Sequence, residues 1–275
     1  MTTPRHTFVV AAYGESPYLP GCLASLQAQD TPGDVVVATS TPNDFIARAA
    51  DAAGVPLVIN PERNGGIGAD WTFAYAAGRT DFVTIAHQDD EYRPEFRRRS
   101  LEAASGVRSP LLVFTDYAEV FGDTWRTRTP NLLVKRVLIR WPARDGWRFE
   151  SRARKQWLVS FGSPISCPTV TYHRALLGPD FAFSRAFRFV VDWEAWIRLA
   201  DRDGSFAYVP DVLMGHRIHP DSETTRVTTG RIRLDEETAC FARLWPWPLA
   251  RALTAPYRLS HLTNYFGAHG ADAKR

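Results

Sequence analysis

Residues 81–92 read DFVTIAHQDDEY, an apolar, β-branched run that ends abruptly in an imidazole, an amide and three carboxylates. Phe82 to Ala86 has the length and composition of a buried strand, so His87 to Glu91 should stand at that strand's carboxyl end. In open α/β sheets ligands bind beyond that end, and carboxylates placed there are suited to a divalent cation or a sugar hydroxyl. The plainer reading of the same cluster is a surface turn capping the next helix, with Pro94 in its first turn.

The residues upstream favour the first reading. His6 to Ala12, HTFVVAA, is too apolar throughout for an exposed edge and reads as an opening strand. Ser16 as N-cap and Pro17 at the first helical position then start a helix whose Leu19, Cys22, Leu23 and Leu26 make one apolar stripe. Asp34 to Ala38 is a second strand. Thr41-Pro42 opens a helix with Phe45, Ile46 and Ala49 that stops at Gly54. Val55 to Ile59 is a third strand, and the loop Asn64-Gly65-Gly66-Ile67-Gly68 leads into a helix carrying Trp71, Ala74 and Tyr75. This alternation up to residue 90 predicts an α/β fold with a mostly parallel sheet covered on both faces.

Downstream, Leu111 to Tyr117 reads as a strand ending near Asp116, and Ser163 to Tyr172 as loop then strand. Val190 to Leu199, VVDWEAWIRL, is an amphipathic helix with Asp192, Ala195, Trp196 and Leu199 on one face. An aspartate in a first helical turn is kept ionised by the helix dipole, which suits a base, although it also serves simply to satisfy free backbone N–H groups. Phe206 to Val209 and Val212 to Ile218 read as a strand pair, followed by the polar loop His219 to Thr224. Thr225 to Leu244 reads as a helix, and the aromatic, arginine-containing tail from Trp245 to Phe266 suits packing on the domain or lying on a membrane surface.

Composition narrows the class. The 275 residues, 45% hydrophobic and 23% charged, suit one large soluble domain or a domain with an appendage. There is no apolar run long enough for a membrane span and no leader-like start, so a cytosolic protein is expected. Cys22, Cys167 and Cys240 are scattered and odd in number, which fits reduced thiols. The net charge of +3 is uneven: residues 126–155 hold ten basic side chains against two acidic ones, interleaved with Trp141 and Trp147. Such a segment suits anionic lipid head groups, a diphosphate or nucleic acid, or is a solvated face.

Taken together, the stretches resemble a family 2 glycosyltransferase with the GT-A fold, a Rossmann-like mixed sheet flanked by helices. Ala11-Ala12-Tyr13 is similar to that family's opening strand end, NGGIGADWTFAYAAGRTDFV to its Gly-rich loop and helix, and HQDDEY to its Asp-x-Asp motif. DWEAWIRLA is similar to its Glu-Asp or Asp-Asp motif and following helix, and HRIHPDSET to its late His-containing loop. The order holds over residues 7–225.

The resemblance implies an inverting enzyme that moves a sugar from a nucleotide-diphosphate donor, most simply a UDP-sugar, to a glycan or lipid-linked acceptor in cell-envelope or extracellular polysaccharide synthesis. It assigns the metal, Mn²⁺ or Mg²⁺, to Asp89 with His219, the base to Asp192, and donor contacts to Ala12 and Tyr13. Residues 1–225 would form the GT-A domain, with 122–160 as a basic, Trp-rich insertion for acceptor or membrane, and 226–275 a helical C-terminal extension. The protein would be cytoplasmic with a peripheral contact at the inner face of the membrane, and nucleic acid is not an expected partner.

Three departures fall on the donor side. His87 replaces the first Asp of Asp-x-Asp, Thr39-Ser40-Thr41 stands where an Asp-rich strand end is common, and Trp71-Thr72, preceded by Asp70, replaces Arg-Asn. Asp70, Glu15 or Gln88 is expected to supply the missing polar contact, with Ser40 beside the base. Two rival readings fit the same residues. HQDDE also looks like the motif of zinc-dependent deacetylases acting on amino sugars, with His87, Asp90 and a late His as ligands and Asp89 activating water. Alternatively, the chain is a non-catalytic glycan- or anion-binding protein on the same fold.

Overall fold

The computed structural model describes residues 5–143, 146–219 and 231–255. Strands β1 (His6–Ala12), β2 (Asp34–Thr39), β3 (Leu57–Ile59) and β4 (Phe82–His87) alternate with helices α1 (Leu19–Gln27), α2 (Asp44–Ala52) and α3 (Gly66–Ala77). The four strands are mutually parallel. Then follow β5 (Glu91–Tyr92), α4 (Phe96–Ser105), β6 (Pro110–Phe121), β7 (Thr124–Arg126), α5 (Pro130–Ala143), β8 (Arg148–Phe149), α6 (Arg152–Val159), β9 (Val170–His173), α7 (Arg174–Leu177), α8 (Val191–Ala200), β10 (Ser205–Arg217) and α9 (Arg231–Ala242).

The ten strands of the described residues join one sheet with the spatial order β3-β2-β1-β4-β9-β6-β10-β5, with β7 on β6 and β8 on β10. β9 runs antiparallel between β4 and β6, so the sheet is mixed but mostly parallel. β1 has β2 on one side and β4 on the other, and the carboxyl ends of β1 and β4 therefore form the crevice where the order reverses.

Each face of the sheet is covered. On one, Leu19, Cys22, Leu23 and Leu26 of α1 are all at most 1% exposed and pack with Phe8, Val10 and Phe96. Each such leucine contributes about 1.5–3 kcal/mol by burial. On the other, Tyr75 from α3 and Trp193 and Trp196 from α8 pack against Ile85, Phe114 and Tyr172. Helix α9 joins the same layer, with Phe241 edge-on to Trp193 at 4.8 Å between ring centroids. Arg243 just beyond it donates to the buried Glu194 carboxylate at 2.6 Å.

Several expected boundaries move. α1 begins at Leu19, with Pro20 rather than Pro17 in its first turn, because Ser16 is buried and the chain turns once more before the helix. Asn43, not Thr41, caps α2, accepting the Ile46 N–H at 2.9 Å. β6 continues past Asp116 to Phe121, and Asp116 is an internal strand residue held by Arg136 at 2.7 Å. The expected strand pair at 206–218 is a single strand, β10, that pairs parallel with β6 throughout. Its register shifts between Val209 and Val212, across Pro210, which has no N–H for the ladder and so sits at a bulge. α8 is not one-faced. Trp193 and Glu194 are buried along with Ala195, Trp196 and Leu199, since α6, α9 and the sheet enclose it. The expected loop residues 220–224, the start of the expected 225–244 helix and the tail beyond 255 lie outside the described residues.

Candidate active site

The site forms where β1 and β4 end. Tyr13, just past β1, and Gln88, just past β4, are locked backbone to side chain: the Tyr13 N–H donates to Gln88 Oε1 at 3.1 Å and Gln88 Nε2 donates to the Tyr13 carbonyl at 2.8 Å. Gln88 thus spends its amide on holding the two strand ends together. The next loop is tied in as well, since Gly14 N–H donates to Thr41 Oγ1 at 2.8 Å and Asn43 Nδ2 to the Gly14 carbonyl at 3.1 Å. Ala12 and Ser40 are buried at this edge, whereas Tyr13 and Glu15 are exposed. Asp70, in the first turns of α3, accepts from the buried Asn60 at 3.2 Å.

The turn after β4 is built around two aspartates with different partners. Asp89 is part-buried and its Oδ2 lies 3.0 Å from His219 Nε2. Asp90 is fully buried. Its Oδ1 meets His216 Nδ1 at 3.0 Å and accepts the Arg217 N–H at 3.0 Å. Arg217 braces the turn: it donates to the Asp89 carbonyl at 3.2 Å, pairs with Glu91, and lays its guanidinium over the Tyr18 ring at 4.6 Å. β5 pairs antiparallel with β10 here, Gly215 opposite Glu91, which is what brings residues 216–219 onto residues 89–91.

His87 completes the group. Its ring stacks on Trp71 of α3 at 5.3 Å and 24° between planes, and Trp71 in turn meets Phe183 edge-on. His87 Nδ1 is 3.9 Å from Asp90 Oδ2. Both Asp90 Oδ2 and the other ring nitrogen, Nε2, are buried without a hydrogen-bond partner among the described residues. Leaving a buried carboxylate oxygen bare is costly, and such an orphan calls for an ion or water. Ligand atoms of His87, Asp89 and Asp90 all lie within 4.8 Å of one another. Two ligands on one ion with bonds of about 2.1 Å stand no more than about 4.2 Å apart, so the His87–Asp90 span fits a shared divalent cation.

The charges suit that use. Burial raises the Asp89 carboxyl, but the His219 hydrogen bond and the fields of His87 and His216 outweigh it and hold Asp89 below the usual carboxylate range. Burial lowers the His87 imidazole against the pull of Asp90 and Asp89, which favours the neutral form that binds metals. For His216 burial is outweighed by Asp90, and its pKa is raised.

Asp192, in the first turn of α8, is coupled to this group electrostatically. It is part-buried, its Oδ1 takes its neighbour's backbone N–H, that of Trp193, at 2.7 Å, and it interacts electrostatically with His87 and with Lys135. Burial raises its pKa, only partly offset by the Trp193 amide and the nearby cations. Lys135 reaches in from α5, donating Nζ to Tyr117 Oη at 3.0 Å. Of the residues singled out from sequence, Tyr13 with Gln88 and Asp89 with His219 are in contact, and Asp192 is coupled to the cluster through His87. Sequence reading left Arg217 and Asn60 without a role, counted Lys135 only among the basic side chains of residues 126–155, and gave Asp90 a role only in the hydrolase scheme. Asp90 alone carried a signal, as a second carboxylate in one motif.

The profile of glycosyl transferase family 2 matches residues 7–166, more than half of the chain. EpsH of Bacillus subtilis (strain 168), whose name assigns it to the glycosyltransferases, is 31% identical over 138 residues, which is 48% of this chain and 39% of EpsH. The match thus spans well under half of that relative. Among solved structures, the mannosyltransferase PcManGT from Pyrobaculum calidifontis, in complex with GDP-Man and Mn²⁺, superposes with a TM-score of 0.66 at 16% identity over 97% of this chain and 76% of its own. S. aureus TarS 1-349 in complex with UDP superposes with a TM-score of 0.61 at 16% identity, over 96% and 72%. At such identities the likeness is one of fold.

Proposed function

The chain belongs to glycosyl transferase family 2 and has the GT-A fold, and from that premise we propose that it transfers a sugar from a nucleotide-diphosphate donor to an acceptor hydroxyl with inversion. The observation that supports this reading is a cation-competent His87–Asp89–Asp90 group at the β1–β4 switch point, with Asp192 coupled to it electrostatically through His87. Mn²⁺ or Mg²⁺ held by Asp89 and its neighbours would supply charge neutralisation for a departing nucleoside diphosphate.

The protein's own side chains take the remaining roles. Asp192 accepts the proton of the acceptor hydroxyl as its oxygen attacks the anomeric carbon opposite the diphosphate, so a bond forms on one face as the sugar–phosphate bond breaks on the other. Its raised pKa makes it a stronger base than an exposed aspartate. Asp90, braced by His216 and Arg217, fixes the turn, and His219 aims Asp89. The Tyr13–Gln88 clamp shapes the floor for the nucleotide, with Ala12, Ser40, Glu15 and Asp70 around it.

A UDP-sugar is the preferred donor on this reading, which is supported by the fold shared with a UDP complex, and GDP-mannose is the alternative suggested by the mannosyltransferase. The acceptor is a cell-envelope or extracellular glycan or its lipid-linked precursor, and the enzyme works in the cytoplasm at the inner face of the membrane. A zinc hydrolase fits less well, because it leaves Asp192 and the family match without a purpose. Screening nucleotide sugars for Mn²⁺-dependent transfer or hydrolysis, wild type beside Asp192→Asn, tests the proposal. Turnover with at least one donor that vanishes in the variant supports it, and Zn²⁺-dependent acetate release from an amino sugar would replace it.

A further inference from the structure

Helix α5 is two-sided in an unusual sense. Leu132 and Ile139 are buried in the core, and Lys135 points to Tyr117 and the field of Asp192. On the other side Leu133, Val134, Val137 and Trp141 are 50%, 60%, 62% and 71% exposed. At about 100° per residue these four fall within a sector about 100° wide, and Lys135 falls on the opposite side. A soluble helix normally turns such a stripe inward, and a contiguous exposed apolar stripe marks an interaction surface.

The charge around the stripe says what it meets. α5 holds Lys135, Arg136 and Arg140 and no acidic residue. Arg140 is exposed and lies at the edge of the apolar sector, and exposed Arg126 and Arg128 precede the helix. Arg136 is engaged with Asp116, leaving the others free of any ion pair among the described residues. An apolar face with leucine, valine and an outermost tryptophan, rimmed by arginines, has the composition of a helix lying in a lipid interface, its apolar side chains among the acyl chains and its cations at the head groups. A protein partner fits less well, because the rim has one sign of charge. No described helix is long and apolar enough to cross a membrane, so contact through α5 would be a surface contact.

We propose that the outer face of α5 docks on an anionic lipid bilayer and thereby sets the cleft beside Asp192 at the height of a lipid-linked acceptor's head group. The docking stands on the helix alone, and the delivery of acceptor rests on the transferase reading. Because Lys135 on the inner face of the same helix interacts electrostatically with Asp192, docking orients the site without any further element moving.

Cosedimentation of the full chain with vesicles of phosphatidylcholine and phosphatidylglycerol, against phosphatidylcholine alone, tests this. Wild type is expected to bind the anionic vesicles and to leave them as salt is raised. The double variant Val137→Glu/Trp141→Glu is expected to bind roughly tenfold less, and Arg128→Glu/Arg140→Glu to lose the salt-sensitive part. All four side chains are exposed, so melting temperature and Mn²⁺-dependent UDP binding should not change. Wild type left in the supernatant by both vesicles, or a Val137→Glu/Trp141→Glu variant that still binds like wild type, overturns the proposal. So does light scattering showing that the apolar variant merely splits a dimer, which would give the face to a second copy. Absence of UDP binding in wild type and variant alike would count against the transferase reading and leave the docking result intact.

Discussion

Asp89 and His219, 130 residues apart in the chain, meet at 3.0 Å between Oδ2 and Nε2. The contact exists because β10 returns beside the turn after β4. Removing Asp89 should therefore take away the metal-dependent part of donor binding, and removing His219 should weaken it by about 10–100-fold, as expected of a group that orients a ligand. The measurement is the rise in melting temperature given by UDP with and without Mn²⁺. A UDP effect in Asp89→Ala that depends on Mn²⁺ as in wild type would remove Asp89 from the metal site.

His87 should decide which metal is used. Mg²⁺ prefers an all-oxygen shell, and an imidazole favours Mn²⁺, Co²⁺ or Zn²⁺. The ring is held against Trp71 with one nitrogen facing Asp90. Replacing it by the carboxylate usual in this motif, His87→Asp, is expected to shift relative affinity toward Mg²⁺ by about tenfold. Calorimetric titration of the protein with each metal alone, with no donor present, reads the shift independently of turnover, and an unchanged Mn²⁺-to-Mg²⁺ ratio would exclude His87 as a ligand.

Asp192 carries a stability cost that is the reverse of its catalytic use. Burial raises its pKa in the folded state, so the native protein holds that proton more tightly than the unfolded chain does. Its contribution to stability is therefore greatest at low pH. It falls as pH climbs from the ordinary aspartate value, about 3.9, through the raised folded value, and the deficit persists at neutrality. Asp192→Asn should melt slightly higher than wild type at pH 7 while losing about 10²–10⁴ of turnover and keeping metal-dependent UDP binding. The wild-type rate should also fall off on the acid side at a pH above the usual carboxylate range. A variant that melts lower and keeps its rate would mean the aspartate is there only to cap α8.

What could be read beforehand follows a physical division. β1, β4 and the α1 stripe were legible because their signals are local: an unbroken apolar run, or apolar residues at helical spacing, needs no partner to be recognised. β10 was not, because Pro210 and Asp211 look like a turn and only the continuing ladder to β6 shows a bulge. Trp193 and Glu194 escaped because α8 is enclosed on more than one side, and amphipathic reasoning assumes a single buried face. In the site, the residues of one motif could be named, but Asp90's partners, His216 and Arg217, are 126 and 127 residues away. Nothing in a strand-end histidine or arginine announces such a pairing. Gln88 is one of three residues, with Asp70 and Glu15, expected to reach the donor, and its pairing with the Tyr13 backbone is a contact that no local signal announces.

Gly68 offers a test of whether the glycines before and within α3 serve the ligand or the packing. A Cβ there would run into the carbonyl oxygen of Ser184, which is backbone and has little room to yield. The strap at 183–185 is held to α3 by the Thr72 hydroxyl, which accepts the Phe183 N–H at 2.9 Å and donates to the Gly68 carbonyl at 2.6 Å. Phe183 meets Trp71, and Trp71 meets His87, so pushing the strap away disturbs the metal cluster at second hand. Alanine is intrinsically better in a helix by about 1 kcal/mol. Gly68→Ala should nevertheless destabilise the fold by about 1–3 kcal/mol in urea unfolding, as overpacking does, and weaken Mn²⁺-dependent UDP binding along with it. Gly66→Ala is the control. Its φ of +77° strains an alanine by about 1–2 kcal/mol, but a Cβ there meets nothing within 4 Å, so donor binding should survive. If Gly68→Ala instead kept full stability and lost only UDP, the glycine would be keeping space for the nucleotide rather than for residue 184.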